Sequence, residues 1–141
     1  MKLFSSFQIS GSALTAEKLR VDTIAGNLAN MQTTRTATGG PYRRKTVIFE
    51  ERLARARQAP PSYSGRGVRV FAVVDDPNPP RMEYDPEHPD ADEDGMVAYP
   101  NIDLAKEMTD LITASRSYEA NTTAVNTAKS LYLKALEIGR G

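Results

Sequence analysis

The sequence predicts an α+β fold in which long helices from the two ends of the chain form a coiled-coil-like pair and a small, irregular β-rich domain lies between them. Apolar residues follow a heptad period in the C-terminal segment 101–140 and again in the N-terminal segment 10–31. The segment between them changes to β-branched, aromatic and proline-rich sequence. The chain therefore divides into an N-terminal helix with its following loop at 1–36, a central β-rich domain at 37–100 and a C-terminal helix at 101–141.

The C-terminal heptad pattern predicts one long helix. Its main seam contains Leu104, Leu111, Tyr118, Val125 and Tyr132, and its weaker second seam contains Met108, Ser115, Thr122 and Lys129. Asn101 follows Pro100 and is expected to cap the helix, because an asparagine side chain accepts hydrogen bonds from the first free amides. Neither proline nor glycine interrupts the pattern before Gly139. A helix over 102–138 would extend about 55 Å, longer than a small globular domain is wide.

The N-terminal heptad pattern predicts a shorter helix over 10–31, capped by Ser12 or Thr15 and ending near Asn30. Its seam contains Leu14, Val21, Ile24, Leu28 and Met31. This helix would cover about 33 Å, so more than a third of the C-terminal helix would lack a partner within the chain. The unpaired seam is then available to another chain.

The central segment is expected to contain short strands. The β-branched and aromatic runs lie at 42–52, 67–74, Arg81–Tyr84 and Met96–Tyr99. Residues 54–66 are rich in proline and arginine and are predicted to be a linker. Prolines around the last two runs limit them to short strands.

Charge is balanced over the whole chain but separated along it. Residues 39–74 contain eight basic and two acidic side chains, whereas residues 75–110 contain twelve acidic and two basic ones. This separation suits head-to-tail contacts between copies of the chain, and it equally suits two oppositely charged surfaces that attract each other within one fold.

The sharpest local motif is the acidic run at 90–95, DADEDG, which matches the opening of a calcium-binding loop. The match then fails, because the twelfth position is Asn101 instead of the bidentate glutamate that such loops need. The run is therefore interpreted as a solvated acidic turn. The lone histidine, His88, lacks the second nitrogen or sulfur ligand that zinc requires.

Nothing in the sequence calls for catalysis or a cofactor. The chain has no cysteine, which excludes disulfides, cysteine-ligated zinc and thiol chemistry, and it carries no phosphate-binding loop or nucleophile motif. The basic run Arg43, Arg44 and Lys45 raises nucleic-acid binding, but 18 basic residues are balanced by 18 acidic ones, which argues against it. We expect no enzyme activity, no cofactor, no metal and no nucleic-acid partner.

No apolar run approaches membrane-spanning length, and the first residues lack the apolar core and cleavage site of a secretory signal peptide. We therefore expect no direct membrane insertion and no cleaved leader.

The chain carries a family resemblance over nearly its whole length outside 54–64, and four stretches within it are the most specific. They read SGSALTAEKLRVDTIAGNLANMQTTRT, GGPYRRKTVIFEE, YDPEHPDADEDGMVAYPN and RSYEAN. In these stretches the chain resembles the FlgC family of proximal-rod proteins of the bacterial flagellar basal body. One departure is Gln32, where rod and hook proteins usually carry asparagine.

The resemblance implies a structural subunit of the proximal rod, the driveshaft that transmits torque from the rotor to the distal rod and hook. Such proteins leave the cytoplasm through the flagellar type III export apparatus without cleavage and polymerise in the periplasm through their terminal helices. The implied partners are other copies of the chain, other rod proteins, the export apparatus, and the proteins where the MS ring meets the export gate.

The heptad seams then supply the expected assembly interface. Its members are Leu14, Val21, Ile24, Leu28, Met31, Leu104, Met108, Leu111, Tyr118, Val125, Leu131 and Ile138. The alternative left open by the sequence is a soluble adaptor module that binds calcium or another protein.

Overall fold

The computed structural model describes residues 2–53 and 65–139 and confirms the α+β prediction. The elements follow the order α1 (Lys2–Ala29), β1 (Lys45–Leu53), β2 (Gly65–Asp75), β3 (Arg81–Tyr84), β4 (Met96–Tyr99) and α2 (Leu104–Ile138). Most of the predicted linker, at 54–64, lies outside the described residues. Its last two positions, Gly65 and Arg66, belong to β2.

The helix α1 begins at Lys2, well before the predicted start at residue 10. The predicted caps are wrong, because both hydroxyls bond back to carbonyls inside the helix: Ser12 Oγ to Ile9 O at 2.7 Å and Thr15 Oγ1 to Gly11 O at 3.2 Å. With 28 residues against 35 in α2, α1 is shorter by about 10 Å. The length difference behind the prediction that more than a third of α2 lacks a partner helix is therefore smaller than expected.

The helix α2 begins at Leu104, two residues later than predicted. Asp103 is the N-cap, and its carboxylate Oδ1 accepts hydrogen bonds from the amides of Ala105 at 2.9 Å and Lys106 at 3.2 Å. The prediction of Asn101 as the cap is wrong, because Asn101 lies in a turn ahead of the helix. In this turn the Ile102 amide donates to Pro100 O at 2.9 Å, and the Ile102 side chain is buried.

The two helices pack against each other in antiparallel orientation. Asn27, near the end of α1, contacts Glu107, near the start of α2. The two helices therefore run away from this contact side by side, in opposite directions along the sequence. Among the residues from 6 onward whose burial is described, the buried apolar ones of the pair are Ala16 and Ile24 on α1 and Ala114 on α2. Two of these three are alanines, so the interior of the pair is thin.

The strands β1 and β2 form an antiparallel ribbon that packs along α1. The Arg20 guanidinium lies 6.0 Å from the centroid of the Phe49 ring, and the Val68 amide donates to Ser12 Oγ at 3.0 Å. The pairing shifts by one residue between Ile48 and Phe49, which leaves Phe71 as the extra residue of a β-bulge. The first predicted strand starts at Lys45 instead of residue 42, because the amide of Tyr42 bonds Thr33 O at 3.0 Å.

The strands β3 and β4 form a separate antiparallel hairpin, and both predicted ranges are confirmed. The hairpin is anchored on one side by Val97, which is fully buried. Its long turn contacts the loop after α1, where Thr34 Oγ1 donates to Asp90 Oδ2 at 2.8 Å. The acidic run therefore has a fixed position against the end of α1.

Gly67 is a position of close approach between the ribbon and α1. Its φ is +96°, and an added Cβ would overlap Ser12 Oγ and lie 3.2 Å from the Ile9 Cα. We expect Gly67→Ala to lower the free energy of unfolding by about 1–3 kcal/mol through backbone strain alone, with the clash adding to this. Urea denaturation followed by circular dichroism would measure it.

Gly39→Ala is the matched control, because Gly39 has φ +85° but open space around its Cβ position. It should show the backbone cost without the clash. Equal losses in the two variants would contradict the close approach of the ribbon to α1.

Candidate assembly interface

A buried polar cluster joins α1, α2 and the start of β1. Asn27 has no exposed surface, and its side-chain oxygen accepts hydrogen bonds from the Lys45 amide at 2.9 Å and the Tyr42 hydroxyl at 3.1 Å. Its side-chain nitrogen donates to the Lys45 carbonyl at 2.9 Å and to Glu107 Oε2 at 3.1 Å. One amide therefore connects three elements with every donor and acceptor used.

The carboxylate of Glu107 is the charged centre of this cluster. Glu107 is fully buried, and its other oxygen, Oε1, accepts from Arg44 Nε at 2.5 Å. The same guanidinium donates to Thr46 Oγ1 at 2.8 Å and lies 3.7 Å from Asp110 Oδ2. Because a buried charge is tolerated only when it is paired and hydrogen-bonded, this geometry fixes α2 against the start of β1.

Tyr42 lies at the edge of the same cluster. Burial raises the pKa of its phenol above the ordinary value of 10.0, and the Lys45 ammonium opposes this shift. The carboxylates of Asp75 and Glu107 add to the rise. Lys45 itself bonds Asp75 Oδ1 at 2.9 Å, and this hydrogen bond raises the pKa of the Lys45 ammonium.

The loop after α1 closes the helix end beside the cluster. Asn30 donates to Gly26 O at 2.9 Å and accepts from Thr33 Oγ1 at 3.1 Å. Gln32, the departure from the family pattern, is exposed. Closure of the helix therefore depends on Asn30.

The predicted interface residues divide by exposure. The buried or half-buried members are Leu14, Val21, Ile24, Leu28, Met31, Leu111 and Val125. The exposed members all lie on α2 and are Leu104, Met108, Tyr118, Leu131 and Ile138, the last of them 82 % exposed. The folded chain therefore covers the N-terminal seam, at least in part, and leaves much of the C-terminal seam open to solvent.

Leu104, Met108 and Ile112 are spaced four residues apart along α2, so they lie on the same side of the helix. They are called the outer stripe here. These side chains are 51 %, 46 % and 54 % exposed, while Glu107 and Ala114 are buried. The heptad analysis missed Ile112, although its spacing from Met108 was the available signal. Beyond this stripe, every residue from 131 to 139 is exposed, including Leu133 and Leu136.

Asn27 and Glu107 were also missed by sequence reasoning. Both are polar, and neither falls on the seams assigned from apolar residues. The available signal was weak: Asn27 lies between Ile24 and Leu28 on α1, where a polar side chain on an apolar face requires a buried partner.

The acidic turn uses its own backbone. Asp92 Oδ1 accepts from the amides of Asp94 at 3.0 Å and Met96 at 2.8 Å, and Asp90 bonds Thr34. His88 Nδ1 accepts from the Asp90 amide at 3.0 Å. Within residues 2–53 and 65–139, no group of three or more His, Asp or Glu side chains is arranged to hold a metal ion. Two of the three carboxylates of the calcium motif are thus engaged within the chain: Asp92 closes the turn, and Asp90 joins it to the loop after α1.

The basic run 43–45 is divided among different contacts. Arg44 binds Glu107, Lys45 binds Asp75, and Arg43 is exposed. Two of the three charges therefore contact carboxylates of the same chain. Among the described helices, none combines the length and apolar character needed to cross a membrane.

Removing one member of the polar cluster should strongly destabilise the fold. Arg44→Ala leaves the Glu107 carboxylate buried without its cation, which costs about 3–5 kcal/mol of the free energy of unfolding. The double variant Arg44→Met with Glu107→Leu removes both charges and should cost less than the single variant. Chemical denaturation of the purified chain measures both values.

Lys18→Ala provides the control, because its ion pair with Asp22 is exposed and contributes at most about 1 kcal/mol. A loss in Arg44→Ala as small as that in Lys18→Ala would contradict a structural role for the cluster.

The raised pKa of Tyr42 predicts a loss of stability at alkaline pH. The folded state holds the phenol proton more tightly than the unfolded state, so this stabilisation is complete below about pH 10 and is lost as pH rises through the folded pKa. Tyr42→Phe should reduce the slope of unfolding free energy against pH in this range. Lys45 contributes in the same direction, so the comparison is made in a Lys45→Gln background; an unchanged slope there would refute the prediction.

The chain is similar to known flagellar proteins over its full length. Residues 7–35 match the family described as "Flagella basal body rod protein", and residues 93–138 match "Flagellar basal body rod FlgEFG protein C-terminal". The chain is 45 % identical to the flagellar basal-body rod protein FlgC of Borreliella burgdorferi, with 100 % of both chains covered. It is 41 % identical to FlgC of Bacillus subtilis and 40 % identical to FlgC of Salmonella typhimurium, each over 99 % of this chain and 100 % of the relative. The resemblance noted in the sequence is confirmed, and the chain belongs to the FlgC family of flagellar basal-body rod proteins.

Proposed function

We propose that this chain is a structural subunit of the flagellar proximal rod and that it polymerises through its terminal helices. The observation that carries the proposal is the exposed apolar surface of α2, comprising the outer stripe and the segment 131–138. Clusters of exposed apolar side chains, unlike scattered single ones, mark interaction sites on soluble proteins. Full-length similarity to rod proteins identifies the type of assembly.

The energetics of such an interface suit a polymer without covalent links. Burying one large apolar side chain contributes roughly 1.5–3 kcal/mol, and α2 presents several to a neighbour. The half-buried seam residues such as Leu14, Val21 and Leu28 would complete the packing between α1 and α2. A heterologous contact that does not close on itself produces a helical filament.

The rod is a mechanical element, and the proposed role requires no reaction. In this role the chain transmits torque from the rotor to the distal rod and hook. We propose that it leaves the cytoplasm through the flagellar type III export apparatus without cleavage and assembles in the periplasm. Its proposed neighbours are other copies of itself, other rod proteins, and the proteins where the MS ring meets the export gate.

The proposed division of labour follows the three segments of the chain. Residues 1–36 and 101–141 supply the assembly helices, and residues 37–100 form the central domain. The Asn27 contacts with Tyr42 and Lys45 support a central domain held in one orientation on the helices. That orientation would let a load on the central domain pass directly to the helix pair.

The outer stripe offers a direct test of the proposal. Met108→Asp combined with Ile112→Asp places two charges on exposed positions of α2, so the monomer should fold while contacts with neighbouring subunits are lost. We expect no detectable incorporation into isolated basal bodies and no swimming, with export unchanged. Immunoblots of basal bodies and of the exported fraction would measure both.

The matched control is Thr109→Asp combined with Thr113→Asp, which adds the same charge to the same helix at exposed positions that are already polar. The proposal expects this control to incorporate better than the stripe variant. Normal incorporation and motility of the stripe variant would overturn the proposal.

A further inference from the structure

We propose that the outer surface of the β1–β2 ribbon docks on the β3–β4 hairpin of a second copy, in a head-to-tail contact separate from the helix contacts. This inference rests on the proposed function, because it assigns a second interface of the same polymer. The two surfaces are exposed, apolar and opposite in charge. The ribbon surface is therefore complementary to the hairpin surface of another copy and not to the ribbon surface of another copy.

The ribbon surface is defined by Ile48, Phe71 and Val74, on the face opposite to Val47 and Phe49. Phe71 is the extra residue of the β-bulge and is 66 % exposed, so the bulge directs a large aromatic ring into solvent. The other two side chains also count among the exposed large apolar residues. An exposed aromatic group surrounded by smaller apolar groups has the composition of an interface anchor.

The hairpin surface is defined by Met82 and Tyr84 with their cross-strand partners. The pairing places Met82 opposite Ala98 and Tyr84 opposite Met96, so these four side chains share one face. Tyr84 is 71 % exposed, and every residue of β3 is exposed. A hairpin of two four-residue strands is marginal by itself, and covering this face would stabilise it.

Charge identifies the occupant. Without Arg44 and Asp90, which pair with residues elsewhere in the chain, the ribbon segments 43–53 and 65–75 carry five basic and three acidic side chains, and the hairpin segment 81–99 carries six acidic and one basic. Contact between two ribbons or between two hairpins would bring like charges together, whereas contact between a ribbon and a hairpin brings opposite charges together. A second copy of this chain supplies the required surface of each kind.

The two surfaces do not satisfy each other within one chain. The strand pairs form two separate sheets, and among the described residues no strand of the ribbon contacts a strand of the hairpin. Several other opposite charges do meet internally, such as Arg44 with Glu107 and Arg35 with Asp90. The other ion pairs of these segments, such as Lys45 with Asp75 and Arg81 with Glu83, lie within one strand pair and leave its net charge unchanged.

The absence of cysteine in the sequence permits an unambiguous crosslinking test. Val74→Cys and Met82→Cys are made as separate variants with tags of different size and are expressed together in cells that lack the native gene. Basal bodies are isolated and treated with a short bismaleimide. We expect the mixed V74C to M82C dimer to exceed either homodimer by about tenfold, since homodimers would require like surfaces to meet.

The position control is Ala37→Cys, which is expressed in place of one of the two cysteine variants. Ala37 is exposed in a turn outside both surfaces. This control should give no preferred dimer. On the Met82→Cys copy, Glu87→Lys with Glu93→Lys should lower the mixed dimer about tenfold, and Glu87→Gln with Glu93→Gln should give an intermediate yield. Both glutamates are exposed on the hairpin turn.

The outcomes separate the two proposals. Variants that incorporate into basal bodies without a preferred mixed dimer would overturn the ribbon-to-hairpin contact and leave the rod assignment standing. Homodimers as abundant as the mixed dimer would indicate a symmetric contact and would also overturn it. Exported variants absent from basal bodies, with the unsubstituted chain absent as well, would overturn both.

Discussion

The buried contact between Asn27 and Glu107 is the interaction on which the rest of the structure depends. It joins residues from opposite ends of the chain and also holds the backbone at Lys45 in place. The Glu107 charge is tolerable only while Arg44 and Asn27 are both in position, so other alignments of the helices leave a buried carboxylate unpaired. Polar groups therefore specify the helix register, although they contribute less to net stability than apolar burial of the same volume would.

A helix pair aligned by polar contacts needs only a thin apolar interior. Ala16 and Ala114 are buried where α1 and α2 meet, and small side chains let two helices approach closely. Larger apolar side chains such as Ile112 and Leu131 remain at the surface. The chain thus separates two tasks that a globular domain usually combines: the polar cluster fixes the geometry within the subunit, and the exposed apolar residues are left for contacts between subunits.

The separation of basic and acidic residues along the sequence suited either contacts between copies or attraction within one fold. The structure shows attraction within the fold for only part of this charge. Part of it pairs within the chain, since Arg44 binds Glu107 and Arg35 lies 3.6 Å from Asp90. These pairs fix the central domain and the acidic turn to the helices. The remainder lies on the ribbon and on the hairpin, whose strands belong to different sheets. The internal pairs fix the arrangement of the subunit, and the opposite net charges of the ribbon and the hairpin give its surface a direction.

The sequence by itself determined the type and order of every described element, because helical and strand periods are local properties. It placed β3 and β4 at their observed bounds, where prolines and the acidic turn leave room only for short strands. It did not locate the start of α1, the Asp103 cap or the buried polar cluster. Asn27 and Glu107 are 80 residues apart, and neither belongs to an apolar seam of its own helix. Only packing of the two helices, which removes water from both side chains at once, makes one the required partner of the other.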